Sequence, residues 1–180
     1  MTIPIGTALD DGNVRLEIVH TSADTGGELF ELLATYAPGS RPPPPHYHPE
    51  QAEDFDVTAG ALKFVLNGTP TIVRAGESIH IPARTVHFAL NASAVEPATA
   101  QWRTRPALRS DEFFASVYAV ETRGGHLLDR VLVARAFPRE FTLASPPRVV
   151  QSCVFPLLAV IARLAGRRLP SVAPGLGTDR

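Results

Sequence analysis

The sequence predicts a mainly β protein, a sandwich or small barrel, followed by a C-terminal α-helical extension. Three observations carry that prediction. Up to about residue 105, short apolar runs are punctuated by Gly, Pro and Asn at the spacing of such folds. Within several runs apolar and polar residues alternate, as in a strand with one buried face. Beyond Pro106 the apolar period lengthens to that of a helix.

The strand candidates, in order, are VRLEIVH, ELFELLATYA, DFDVTAG, ALKFVLNG, TIVRAG, ESIHIPA, HFALNAS and TAQWRTR. In ALKFVLNG, Leu62, Phe64 and Leu66 fall on one face and Lys63 on the other. Gly60, and Asn67 with Gly68, read as turns between strands. The prolines at 42–45 impose an extended approach and remove backbone donors. Ser110, Asp111 and Glu112 open a helix that carries Phe113, Phe114, Val117 and Val120 and breaks at Gly124 and Gly125. Residues 126–136 form a second helix, ended near Pro138. Pro146 and Pro147 open a third, with Val150, Val154, Leu157, Ile161 and Leu164 at helical spacing, and Gly166 and Pro170 stop it. The tail, SVAPGLGTDR, reads as loose, and no internal repeat is present. Two units are expected: a β domain over 1–106 and a helical extension over 107–180.

Composition excludes some functions. With 180 residues, 44% hydrophobic and 19% charged, the chain can bury a core and is not globally disordered. Net charge is −1 and the arginines are scattered, so no basic face for nucleic acid forms. Cys153 is the sole cysteine; no internal disulfide exists, and a reducing, cytoplasmic location is expected. The N-terminal MTIPIGTALDDG lacks the basic and apolar regions of a secretory signal.

Residues 46–55 read HYHPEQAEDF. On a strand, His46 and His48 point the same way and can share one metal ion. A curled sheet would bring Glu53 and His87 to the same place. Three neutral nitrogens and one carboxylate oxygen suit a borderline divalent ion, and in an octahedral shell they leave two open positions. Taken alone, two histidines in a strand are more often an exposed strand end. The wider spacing decides against that.

Gly39, six residues, His46-x-His48, four residues, Glu53, six residues and Gly60 make one block. Gly76, five residues, Pro82, four residues, His87, three residues and Asn91 make a second. Together they resemble the two motifs of the cupin superfamily, with one extra residue before the histidines and Arg84 where a glycine is usual. The resemblance covers about residues 25–105 and implies an antiparallel jelly-roll β-barrel with a metal inside one end. Its ligands, carried over by position, are His46, His48, Glu53 and His87; iron is the expected ion, with Mn, Ni, Zn or Cu as alternatives. By alternation Phe55 and Val57 share the face of Glu53, so the ligands enter an apolar pocket. Asn91 is expected to hold a loop rather than touch metal. The layout of one barrel followed by EFF-type and PLLAVIARLAG-type helices is similar to a group of bacterial single-domain cupins described as quercetin-dioxygenase-like.

Other polar residues read as structural. His80 is expected on the outer face, and His20 and His126 at the surface. Glu50 and Gln51 are expected in a solvated turn. Either Trp102 or the pair Gln101 and Arg103 faces the cavity, with Arg103 expected outside. Cys153 is expected to pack in the third helix. Residues 149–165 are apolar on nearly every side. They are expected to pack on the barrel or form a dimer interface; a membrane-surface role is disfavoured, and a homodimer is expected.

The expected function is a dioxygenase-like oxidoreductase acting on a small, oxygen-rich organic molecule, with Glu53 as base. Two other readings are a metal-dependent isomerase, cyclase or lyase that uses no oxygen, and a non-catalytic module that binds a small ligand.

Overall fold

Every strand expected from the sequence is present in the computed structural model, which describes residues 3–169. The strands are β1 (Ala8–Asp10), β2 (Val14–His20), β3 (Phe30–Tyr36), β4 (His46–Tyr47), β5 (Ala52–Ala59), β6 (Ala61–Leu66), β7 (Thr69–Arg74), β8 (Ser78–Ile81), β9 (His87–Asn91), β10 (Ala98–Arg105) and β11 (Thr142–Leu143). The helices are α1 (Ser110–Glu121), α2 (Leu127–Ala136) and α3 (Arg148–Leu164). The reading of the tail, and of Pro170 as a stop, lies outside the described residues.

The strands form two antiparallel sheets, ordered β1-β2-β3-β10-β5-β8 and β11-β4-β9-β6-β7. Their inner faces share one apolar core. Phe55 of β5 meets Phe64 of β6 across the gap, with ring centroids 5.0 Å apart. Phe30, Leu32, Leu62 and Phe64 are fully buried, each contributing about 1.5–3 kcal/mol relative to exposure. Alternation is kept along β5, where Glu53, Phe55 and Val57 are buried and Asp54 and Asp56 face outward.

The expected closed barrel is not formed: the two sheets stay separate ladders. The reason lies after β7. There the Gly76 amide donates to the Val57 carbonyl, and the Val57 amide donates to Glu77. The chain entering β8 therefore pairs with β5 and not with β7. The turn after β6 uses Asn67 and Gly68, both at positive φ, which suits a tight hairpin.

The helical extension is not a separate body. Phe113, Phe114 and Tyr118 of α1 join the barrel core, and Phe30 stacks on Phe114 at 5.6 Å. His126, expected at the surface, caps α2: its ring Nδ1 accepts the Leu128 amide at 3.2 Å. β11 adds to β4 at the edge of the second sheet.

The third helix meets only part of its expectation, since the alternative of a dimer interface is not decided by one chain. It packs on α2 rather than on the barrel, through Ala159 and Ala162 against Leu132 and Leu128. Small residues permit that close approach, and Gln151 fixes the helix start by donating to the carbonyls of Leu143 and Pro146. The stripe containing Val150, Leu157 and Leu164 faces solvent, and Cys153 is exposed rather than packed. No helix among the described residues is long and apolar enough to cross a membrane.

Candidate metal centre

β4 and β9 lie side by side, so that His46 sits opposite His87. His48 follows one step beyond β4 and keeps the face of His46. One ring nitrogen from each of His46, His48 and His87 lies within 4.8 Å of the other two. Glu53 enters from β5 in the opposing sheet. Its Oε1 is 3.2 Å from His48 Nε2 and its Oε2 is 2.9 Å from His87 Nε2. All four residues expected from the sequence therefore meet in one place.

The backbone decides which nitrogen each histidine offers. Nδ1 of His46 bonds the Pro44 carbonyl at 2.8 Å, Nδ1 of His48 the Glu140 carbonyl at 2.5 Å, and Nδ1 of His87 the Thr85 carbonyl at 2.9 Å. A carbonyl can only accept, so each Nδ1 carries the proton. In its neutral form such a ring presents a bare Nε2 lone pair, the form that binds a metal. Glu53 adds carboxylate oxygens, which are acceptors too. His48 Nε2 and Glu53 Oε2 are buried and lack any hydrogen-bond partner. Acceptors held this close repel one another unless a cation stands between them. The donor set, three imidazoles and a carboxylate, fits a borderline divalent transition metal.

The electrostatics separate the histidines. Burial, with the two neighbouring imidazoles, pushes His46 down to about 3, so it stays neutral. Burial also pushes His48 down, but the Glu53 carboxylate and the Glu140 carbonyl outweigh it and raise its pKa. Burial would raise Glu53; His48 and His87 overcome that and hold it well below the usual carboxylate range. Glu53 thus supplies a buried carboxylate charge that attracts a cation to the histidine nitrogens, and His48 is the ring it favours for a proton.

Trp102 is the main residue that sequence reading leaves open. It faces inward from β10, stacks on Phe55 at 4.9 Å, and donates Nε1–H to Glu53 Oε1 at 3.0 Å. Its register opposite Phe55 is the signal that identifies it. Gln101 and Arg103 accordingly lie on the outer face, where Arg103 pairs with Glu31 at 2.9 Å and Asp56 at 2.6 Å. His80 is outside as well, bonded to Asp54 at 2.7 Å.

Three contributions have no local signal. Phe141 covers His46, with centroids 4.9 Å apart. The Glu140 carbonyl orients His48. Gln51, expected in a solvated turn, is buried and donates to the carbonyls of Pro106 and Ala107 and to Ser110 Oγ. Each comes from, or reaches to, the helical extension.

The supporting loops behave as expected. Asn91 touches no ligand; its Nδ2 donates to the carbonyls of Tyr36, Ala37 and Glu96. Arg84, standing where glycine is usual, adopts a φ of 67. Its amide donates to the His48 carbonyl at 2.8 Å, so this turn ties the approach to His87 onto the first two histidines.

Residues 32–102 match the family described as Cupin domain. Among solved structures, similarity extends to an uncharacterized conserved protein with a double-stranded beta-helix domain from Klebsiella pneumoniae. It is 20% identical, over 57% of this chain and 80% of that one, with a TM-score of 0.49. KdgF from a Halomonas species is 18% identical over 56% and 86%, with a TM-score of 0.48. Oxalate decarboxylase from Bacillus subtilis is 18% identical over 56% of this chain and 28% of its own, with a TM-score of 0.48. No curated protein is detectably similar in sequence to this chain.

Proposed function

We propose that the protein is a metal-dependent oxidoreductase of the dioxygenase-like kind, acting on a small, oxygen-rich organic molecule. The observation that carries the metal is the convergence of bare Nε2 atoms on the Glu53 carboxylate, with His48 Nε2 and Glu53 Oε2 buried and unpartnered. His46, His48, Glu53 and His87 would hold the ion. When bound, it would supply Lewis acidity and, if redox-active as iron is, a path for electrons to oxygen.

The chain's own residues set the rest. Phe55 and Phe64 are buried behind Glu53 and exclude water from its inner side, and the half-buried ring of Trp102 is the aromatic surface next to the carboxylate. Phe141 closes the side next to His46. Among the described residues no arginine or lysine is buried. That disfavours a phosphorylated substrate, which would need a buried cationic partner, and favours a neutral molecule that binds through adjacent hydroxyl and carbonyl oxygens. Glu53 would serve as base on letting go of the ion: Oε1 is held by Trp102, and Oε2, 2.9 Å from His87 Nε2, is the oxygen that would take the proton of a substrate hydroxyl. The overall layout supports placement with the quercetin-dioxygenase-like cupins.

The test is metal analysis of the purified protein by mass spectrometry, followed by oxygen uptake with a panel of flavonols and diketones. One equivalent of metal in the wild type and its loss in His48→Ala supports the site, with affinity falling at least roughly tenfold. Unchanged metal content in that variant refutes it. Oxygen uptake that depends on the metal supports the oxidoreductase. Turnover with zinc in the absence of oxygen replaces it with the isomerase or lyase reading.

A further inference from the structure

α3 has two faces of opposite kind. One side, through Ala159 and Ala162, is used up against α2. The other is apolar and solvent-exposed: Val149 is 76% exposed, Leu157 67% and Leu164 84%. A helix in a single folded domain turns its polar side to water; this one does the reverse.

The exposed side has a period. Val150, Leu157 and Leu164 recur every seven residues, as do Cys153 with Val160 and Val154 with Ile161. That is a heptad seam with apolar residues at both core positions and at one flank. Such a seam is shaped for another helix carrying the same spacing. No charged residue falls on it: by helical spacing Arg148 lies opposite Leu157, on the side of Ala159, and Arg163 lies about a third of a turn from Leu157. Pro156 also lies off the seam, so the proline leaves the contact line intact.

We infer that α3 docks against α3 of a second copy of this chain, forming a two-fold dimer centred near Leu157. A two-fold contact places the same patch on both subunits, and a patch that is wholly apolar is complementary to itself. The area suffices. The exposed side chains of the seam offer roughly 700 Å² per copy, so a pair covers about 1,400 Å², within the range of about 1,200–2,000 Å² for stable interfaces. A lipid surface fits less well. A helix lying in a bilayer interface carries cations along both borders of its apolar face; in α3 Arg148 lies opposite that face and Arg163 to one side of it, and beyond the helix Arg167 is bonded to Asp129 at 2.6 Å, which leaves Arg168 exposed beside it.

The proposal is tested on the full chain by sedimentation equilibrium. The wild type should be a dimer, and Leu157→Glu a monomer with an unchanged circular dichroism spectrum and dimerisation weakened more than tenfold. In a Cys153→Ser background, Leu157→Cys should give a disulfide-linked dimer on mild oxidation, and Ser152→Cys on the helix flank should not. This crosslink reads the same contact if the charged variant fails to fold. A wild type that stays monomeric, or a dimer that survives Leu157→Glu with no crosslink at 157, overturns the proposal. So does a monomer that co-sediments through this face with phosphatidylglycerol vesicles, since lipid would then be the occupant.

Discussion

The carbonyl of Glu140 accepts the Nδ1–H of His48 at 2.5 Å, across 92 residues of sequence. The helical extension thereby orients an imidazole of the histidine cluster that could hold a metal ion. The Glu140 side chain is buried and accepts the Arg109 amide at 3.1 Å, which holds the segment in place. Glu140→Ala leaves that amide unpartnered, at a cost of about 1–3 kcal/mol. Metal affinity should fall about 10–100-fold, as for other residues that orient a ligand. Competition against a fluorescent chelator measures it; an unchanged affinity would show that the extension does not hold His48.

Trp102 donates to Glu53 Oε1 from inside the core. Trp102→Phe keeps most of the packing and removes the donor. Metal-free protein should lose about 1.5–3 kcal/mol, the range for a hydrogen bond to a charged group. Urea unfolding of the chelated variant and wild type gives the difference.

Removing the metal should itself destabilise the fold. Bare acceptors at the site then face one another, and the binding contribution is lost. At a free-metal concentration about a thousand times the dissociation constant that contribution is about 4 kcal/mol, or roughly 10 °C in Tm for a chain of this size. Calorimetry before and after chelation should show the drop, and readdition of the ion should reverse it. His48→Ala should show little response to chelator.

Gly60 joins β5 to β6 at a φ of 68, and a Cβ there would lie 2.7 Å from the Pro97 carbonyl oxygen and 3.0 Å from the Ala98 Cα. Both neighbours are backbone and cannot rotate away. Gly60→Ala should cost about 2–4 kcal/mol from strain and overlap together. Gly68→Ala, with open space around its Cβ, should cost less by thermal denaturation.

His20 and Asp24 form a surface pair with opposite pH signatures. The Asp24 carboxylate, 2.7 Å away, raises the His20 pKa above 6.5. Thr21 and His20 together hold Asp24 well below its ordinary value. The His20 contribution to stability is therefore complete below pH 6.5 and disappears as pH rises through the raised value. The Asp24 contribution is present above the ordinary aspartate range and is lost as pH falls through the depressed one. In Asp24→Asn the His20 midpoint, followed by NMR, should move down toward 6.5; a midpoint that stays put would mean that the pair does not form in solution.

The local pattern of residues was enough to identify the eight long strands and the three helices, and the resemblance of the two histidine blocks to the cupin motifs picked out the four side chains that the fold brings together. Each rests on near-neighbour chemistry. Strand pleating places Glu53, Phe55 and Val57 on one face, and Asn67 with Gly68 permits a tight turn whatever lies beyond it. The spacing of the two histidine blocks could be matched for the same reason, since ligand positions along a strand repeat with the pleat. What the tertiary structure alone decided depends on contacts between distant segments. These are the separation of the two sheets, the inward turn of Trp102, the Glu140 carbonyl behind His48, and the burial of Gln51. The apolar run of α3 shows the limit most clearly. Its sequence is apolar all round, and only the position of α2 determines that Ala159 and Ala162 are covered while Leu157 meets water. Side-chain periodicity is a property of one element; which face is covered is a property of the elements that pack against it.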